Sequence, residues 1–194
     1  MFDFSFIITN LLLGVGLAMD AFSVSIADGL AEPEMKKSKG LAIAFTFAFY
    51  QYAMPVIGWV CVHFLAEKFE IFEKAVPWIA LALLGYIGGK MLIEGIKGNS
   101  GEDTNIGKLG FAALMVQGIA TSIDALSVGF TIEKYSALYA NIASLIIAAV
   151  TFIICIAGLV IGKKAGSKLS DKASILGGAI LIGIGIEIFI SNMF

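Results

Sequence analysis

The chain has 194 residues, 59% of them hydrophobic and 14% charged, with a mean hydropathy of +0.94 and a net charge of -2. A soluble domain carries about a quarter charged residues, so the composition excludes a water-soluble globular protein and describes one whose solvent is lipid. All the basic residues are lysine, and no long basic run interleaves with aromatics, which removes support for nucleic-acid binding.

The N-terminal MFDFSFIITN has no positive n-region, and its apolar stretch outruns a signal peptide, so it reads as a retained first span. Crossing the hydrocarbon core takes about 20 mostly apolar residues as helix. Six stretches qualify: roughly 5–29, 40–66, 75–96, 108–131, 137–162 and 173–193. The connections at 31–39, 66–74, 97–105, 132–135 and 163–172 are short and hold most of the charge. They leave no room for a soluble domain, so the activity lies within the membrane.

Lysine placement gives an orientation. Connections one, three and five hold nine lysines (Lys36, Lys37, Lys39, Lys97, Lys108, Lys163, Lys164, Lys168 and Lys172), against Lys68, Lys74 and Lys134 in the other two. The first set is therefore expected in the cytoplasm and both termini outside it. Lys90 lies within the third span and can snorkel towards its cytoplasmic end. Cys61 and Cys155 fall in apolar segments, where cysteine acts as a small hydrophobe. His63 sits near a helix end, so no Cys/His metal signature is present.

An internal repeat organises the chain. Asp-Ala-Phe-Ser-Val at 20–24 matches Asp-Ala-Leu-Ser-Val at 124–128, four identities in five at an offset of 104. Each half, 1–98 and 106–194 with a cytoplasmic linker at 99–105, carries three spans. An odd number of spans starts the second copy from the opposite side. The expected fold is an all-α integral membrane protein of six helices, arranged as two inverted three-helix repeats with the substrate site at the midplane. LLGYIGG (83–89) against LIGIGIE (181–187), and Gly58 against Gly158, echo the duplication more weakly. Gly85–Gly89 and Gly158–Gly162 have the Gly-x-x-x-Gly spacing of close helix packing.

The repeat places Asp20 and Asp124 in apolar helices, where an aspartate costs about 2.5–3.5 kcal/mol and marks a cavity or a partner. Neutralisation by lysine is the structural alternative, but only Lys90 lies at comparable depth, and Glu94 is a turn away from it. Helical spacing adds oxygen atoms. Gln117, Thr121, Asp124, Ser127 and Thr131 form one stripe in the fourth span; Gly16, Asp20 and Ser23 share a face in the first, with Asn10 and Asp28 nearer its ends. Asn10 and Thr131 fit interhelical hydrogen bonding better. Gln51 lies one turn before Pro55, which frees the Gln51 carbonyl as a cation ligand, and Thr151 is its counterpart. Glu187 is a further acid at depth, with three open roles: third ligand, proton carrier or partner of Lys90. Asp28 suits an entry path.

Carboxylate, amide, hydroxyl and carbonyl oxygens without His or Cys suit Mg, Ca or Mn rather than Zn, Cu or Ni. Met19 and Met54 could add a soft sulfur, although methionine in such helices mostly packs. No Walker motif is present, which argues against direct use of ATP. Without metal, paired carboxylates favour protonation, so protons could replace the cation on the return step.

The motifs MDAFSVSIADG, ATSIDALSVG, FYQYAMPVIGW, GGKMLIEG and ILGGAILIGIGIEI together resemble those of the MntP-type manganese efflux pumps of bacterial inner membranes. The resemblance covers all six spans. It implies export of Mn(II), a divalent substrate rather than a resident cofactor, from the cytoplasm through six helices in two inverted repeats, with essential aspartates at Asp20 and Asp124. Many relatives carry an acid at the position of Gln51. Two rivals remain: an exporter of another cation or an amino acid on a related three-plus-three scaffold, and an intramembrane aspartyl protease. The protease motif Gly-x-Gly-Asp is absent, since Asp20 follows Leu-Ala-Met and Asp124 follows Thr-Ser-Ile. The chain is expected to be a transporter, not an enzyme.

Overall fold

The computed structural model describes residues 4–64, 110–132, 134–169 and 173–193, with residues 78, 81, 82, 84–89, 92, 93 and 96. All the elements they form are helices: α1 (Phe4–Ala31), α2 (Lys37–Phe64), α3 (Phe111–Ala120), α4 (Ile123–Thr131), α5 (Ala137–Leu169) and α6 (Ala173–Met193). Helix is the form that satisfies backbone N–H and C=O groups inside lipid without a partner segment. Among the described residues, four stretches are long and apolar enough to cross a membrane: Phe4–Ala31, Lys37–Cys61, Phe111–Thr131 and Ala137–Ser167. The described part of the third expected span is also helical. Lys90 and Glu94 lie outside the described residues.

Helices α1 and α5 are longer than the spans read from the sequence. At 1.5 Å per residue, the 33 residues of α5 reach about 50 Å against a hydrocarbon core of about 30 Å. Its last two turns carry Lys163, Lys164 and Ser167, so the fifth connection begins as helix rather than as loop. Lys163 Nζ donates to the Met35 carbonyl in the α1–α2 connection, which holds this extension against the end of α1. Lys39 and Glu32 pair across the same connection.

α5 is the central helix, packing along α1 and against α2, while α2 also meets α4 and α6 covers another face of α1. Glycine permits the closest crossings. A Cβ at Gly162 would stand 2.2 Å from the Ile26 carbonyl oxygen, and one at Gly129 2.4 Å from that of Pro55. Gly58 faces Gly129, and Gly158 faces Ser25. Of the two Gly-x-x-x-Gly pairs, Gly158–Gly162 lines the α1–α5 crossing as the spacing suggests. Gly85 and Gly89 meet nothing described within 4 Å; the neighbouring Gly88 makes the close contact instead, against Gly178 of α6.

Polarity is inverted relative to a soluble protein. Asn10, Ser25, Asp28, Gln51, Gln117, Thr121, Ser122, Ser144 and Thr151 are buried, whereas Phe4, Leu12, Phe45, Phe49, Phe111, Leu145 and Ile153 are exposed. Cys61 and Cys155 are buried free thiols. Among the described residues, Asn10 and Thr131 bond within their own helices rather than between helices: Asn10 Nδ2 donates to the Phe6 carbonyl (2.8 Å) and Thr131 Oγ1 to that of Val128 (2.9 Å). At the end of the bundle away from the α1–α2 connection, Trp59 Nε1 donates to the Tyr135 carbonyl (3.0 Å) and the Phe6 ring packs on Tyr135 and Tyr139. Such rings are at home at a membrane interface.

The fourth expected span is broken. α3 ends at Ala120, Thr121 and Ser122 form a turn, and α4 starts at Ile123, so the stripe from Gln117 to Thr131 does not run down one helix face. Hydroxyls take up carbonyls at the break. Thr121 Oγ1 donates to Gln117 O (2.9 Å) and Ser122 Oγ to Gly118 O (2.7 Å), while the Ser122 N–H takes the Ile119 carbonyl (3.2 Å), a bond three residues back. Side-chain capture of the preceding carbonyls competes with the regular ladder. The change of phase leaves Gln117 and Thr121 buried but Asp124, Ser127 and Thr131 exposed.

Gly162→Val should push α1 and α5 apart and lower the thermal unfolding temperature in detergent, at a cost of about 1–3 kcal/mol. Gly16→Ala, where the added Cβ meets nothing described within 4 Å, should leave that temperature unchanged or raise it.

Candidate cation site

The site is built on α1, α2, α4 and α6. Asp20 lies in the middle of α1 and is half-buried; Asp124 occupies the first turn of α4, immediately after the break. An acid in that position interacts favourably with the positive end of a helix dipole. Asp20 lies within electrostatic range of both Asp124 and Glu187, and Asp124 within range of Glu187. Glu187, on α6, is exposed. Carboxylates from three helices thus lie within electrostatic range of one another, and among the described residues no lysine faces Asp20 or Asp124. Among those residues no group of three His, Cys, Asp or Glu side chains is close enough to enclose a metal ion, so the arrangement is open rather than a closed cage.

Gln51 joins the two aspartate-bearing segments. Its Nε2 donates to the Leu17 carbonyl (2.9 Å) and to the Thr121 carbonyl (3.2 Å). Leu17 stands three residues before Asp20 and Thr121 three residues before Asp124. One amide therefore clamps equivalent carbonyls of the two copies of the repeat. Its Oε1 is buried and meets no protein donor, which leaves an amide oxygen available to a cation. Pro55 sits buried inside a continuous α2, where it offers no N–H to the Gln51 carbonyl one turn back.

The other expected residues are distributed around this core. Ser23 is half-buried one turn after Asp20, and Ser127 is exposed one turn after Asp124. Thr121 is buried with its hydroxyl committed to Gln117 O and Gly118 O and its carbonyl to Gln51. The buried Thr151 folds back on Ile147 O (3.0 Å), and among the described residues no polar contact links it to either aspartate. Asp28 is buried well away from the open site, where it accepts from Gln117 Nε2 (3.0 Å). Met19 is exposed and Met54 half-buried.

Two contributors escaped the sequence reading. Ser122 makes the break together with Thr121, and the Thr-Ser dipeptide beside an in-membrane aspartate is the available signal. Tyr50 packs its ring on Gly118, where a Cβ would stand 2.4 Å away, and its hydroxyl contacts Met115 Sδ (3.4 Å), bracing α3 just before the break. No periodicity marks that contact.

An all-helical bundle with apolar outer faces, buried polar side chains and acids gathered around a broken helix defines a multi-pass membrane protein. The sequence profile of the family described as "Putative manganese efflux pump" matches residues 34–189. A Ruminiclostridium cellulolyticum protein is 42% identical over 187 residues, covering 95% of this chain and 95% of its own length. One from Clostridium botulinum is 40% identical over 196 residues, and one from Methanosarcina mazei 39% over 188, each with 95% or more of both chains covered. The first and third are named "Putative manganese efflux pump MntP" and the second "Putative manganese efflux pump MntP 2". The chain belongs to this MntP family, a family of transporters rather than enzymes. No solved structure matches it.

Gln51→Leu should remove the donor that links the Leu17 and Thr121 carbonyls and loosen the turn before Asp124. A buried group left unsatisfied costs about 1–3 kcal/mol, readable as a lower unfolding temperature in detergent.

Proposed function

We propose that the protein is a secondary transporter that exports Mn(II) from the cytoplasm by alternating access around Asp20 and Asp124, in exchange for protons. The observation that carries this reading is the gathering of Asp20, Asp124 and Glu187 within electrostatic range, with no described lysine facing the two aspartates. Like charges in a medium poor in water repel strongly, and a divalent cation is the species that relieves this. Carboxylate and amide oxygens are hard donors of the kind Mn(II) accepts. The names of the related proteins point to the same ion.

Asp20 and Asp124 are the primary ligands in this proposal. The Gln51 Oε1 supplies a neutral oxygen, Ser23 and Ser127 lie one turn beyond the aspartates, and Glu187 carries the third charge. One divalent ion balances two of the three carboxylates, and protons take the metal's place on the return step. Thr121 acts by shaping the break rather than as a cation ligand. Thr151 is the packing counterpart of Gln51. Lys90 and Glu94 are assigned to the cytoplasmic side of the third span as accessory charges.

The architecture proposed is six spans in two inverted repeats, 1–98 and 106–194, in the cell inner membrane with both termini outside the cytoplasm. Several contacts support it. Gln51 bridges carbonyls related by the repeat offset of 104 residues. The Gly58–Gly129 contact between α2 and α4 has its counterpart in the Gly158–Ser25 contact between α5 and α1, and Ser25 is the repeat equivalent of Gly129. The lysine-rich α1–α2 connection and the Trp59–Tyr135 cluster lie at opposite ends of the bundle. Rocking of one repeat against the other would open the aspartates to each side in turn.

Transport into proteoliposomes tests the site. Asp20→Asn and Asp124→Asn should each reduce Mn(II) flux by about 100-fold or more, above the 10–100-fold typical of changes to groups that only support a metal ligand. Flux at the unmodified rate in either variant would sink the assignment. Collapsing an imposed pH gradient with a protonophore should slow uptake by the unmodified protein; an unchanged rate would remove the proton exchange.

A further inference from the structure

A second group of unpartnered oxygens lies apart from the open site, where α1, α3 and α5 meet. Asp28 Oδ2, Ser25 Oγ and Gln117 Oε1 are all buried with no hydrogen-bond partner, and Gln117 Nε2 donates to the other carboxylate oxygen, Asp28 Oδ1, at 3.0 Å. Exposure is 2% at Asp28 and zero at Ser25 and Gln117. Ser25 is one turn before Asp28 on the same face of α1. The Cys155 thiol of α5 comes near both: the Ser25 hydroxyl faces its sulfur, which takes up the serine hydrogen but leaves the oxygen's lone pairs without a donor, and Asp28 lies within electrostatic range.

Ser25 departs from a rule that the other buried hydroxyls follow. Thr121, Ser122, Ser144 and Thr151 each donate to the carbonyl four residues back, at 2.7–3.0 Å. That bond is open to any serine in a helix, yet Ser25 leaves it unmade. Asp28 likewise lacks a countercharge in contact. Lys39 is the lysine within electrostatic range, and it is ion-paired with Glu32.

The repeat sets this cluster apart from the transport site. At the offset of 104, Ser25 corresponds to Gly129, Asp28 to Ile132 and Gln117 to Leu13. None of the three equivalents has a side-chain oxygen. The aspartate pair obeys the repeat; this cluster breaks it and occurs on one side only, at the end of α1 beside the lysine-rich connection.

We propose that Ser25, Asp28 and Gln117 form a second cation site, specific for a hard monovalent ion of the size and chemistry of Na+. Carboxylate, amide and hydroxyl oxygens make a hard donor set. A single carboxylate balances a single positive charge; a divalent ion would carry an uncompensated charge into a buried place. A proton on Oδ2 neutralises the carboxylate but reaches only one of the other two oxygens, and a water molecule supplies hydrogens but no charge. The monovalent ion answers all three oxygens and the charge together. Its use in coupling rests on the transport reading above, whereas its binding does not.

The test is equilibrium binding of radioactive Na+ to the purified full-length protein in detergent, with choline as the background cation and no manganese. The unmodified protein should bind Na+ saturably, and the double variant Asp20→Asn, Asp124→Asn should bind it equally well. Asp28→Asn and Gln117→Leu should weaken binding by about tenfold or more, and Ser25→Ala by a smaller factor. Ser25→Ala removes one atom from a helix surface and so keeps the test alive if the other variants unfold. Na+ should also raise the unfolding temperature of the unmodified protein, an effect absent in Asp28→Asn. No saturable Na+ binding by the unmodified protein, binding that survives Asp28→Asn, or equal binding of Mn(II) in the Asp20→Asn, Asp124→Asn background would each overturn the site. Absent Na+ binding alongside aspartate-dependent Mn(II) flux leaves the transport reading intact; Na+ binding without Mn(II) flux does the reverse.

Discussion

The arrangement depends on one side-chain amide. Gln51 donates from a single nitrogen to the carbonyls of Leu17 and Thr121, and these residues hold the same place before Asp20 and Asp124. The two acids ride on helices that would otherwise be pushed apart by their own charge. A hydrogen bond shared between the two segments, in a medium where an unmade bond is expensive, fixes the spacing that electrostatics alone would open. The orphaned Oε1 on the same side chain is what this device leaves over.

The break at Thr121–Ser122 follows from the same economy of donors and acceptors. In lipid a helix can be interrupted where neighbouring groups take over the freed backbone positions. Here two hydroxyls, a backbone N–H and the Gln51 amide do so within one turn. The result is a short α4 that begins with Asp124 in its first turn. Tight glycine crossings, Gly58 on Gly129 and Gly29 on Gly162, then bring α4 to α2 and α1 to α5 closely enough for side chains as short as serine and aspartate to share a site.

Two kinds of polar group share the interior. Thr151, Ser144 and Asn10 spend their donors on their own helices and act as packing residues with satisfied polarity. Gln51, Gln117, Asp28 and Ser25 do not, and each keeps a buried oxygen without a protein partner. The first kind is what a helix in lipid requires. The second kind is a standing cost that binding can remove, and it divides between the gathered carboxylates and the α1–α3–α5 junction.

The sequence by itself determined the class of protein, the four spanning stretches and a five-residue repeat that carries Asp20 and Asp124. Those properties are local or additive: apolar runs of spanning length, charge concentrated between them, and five residues recurring at a fixed offset. The resemblance of the whole motif set to one transporter family was legible for the same reason. Tertiary structure alone decided the rest. The unbroken fourth span was the natural expectation because no glycine or proline marks Thr121–Ser122; the backbone and carbonyls at the break are taken up by hydroxyls and by an amide 70 residues away. Thr151 and Gln51 looked equivalent by spacing, yet one bonds to its own helix and the other across two. Asp28 read as part of an entry path, while the fold buries it against Gln117, 89 residues distant. Periodicity tells which residues share a face, but which oxygen goes unpaired depends on where the donors of other helices arrive.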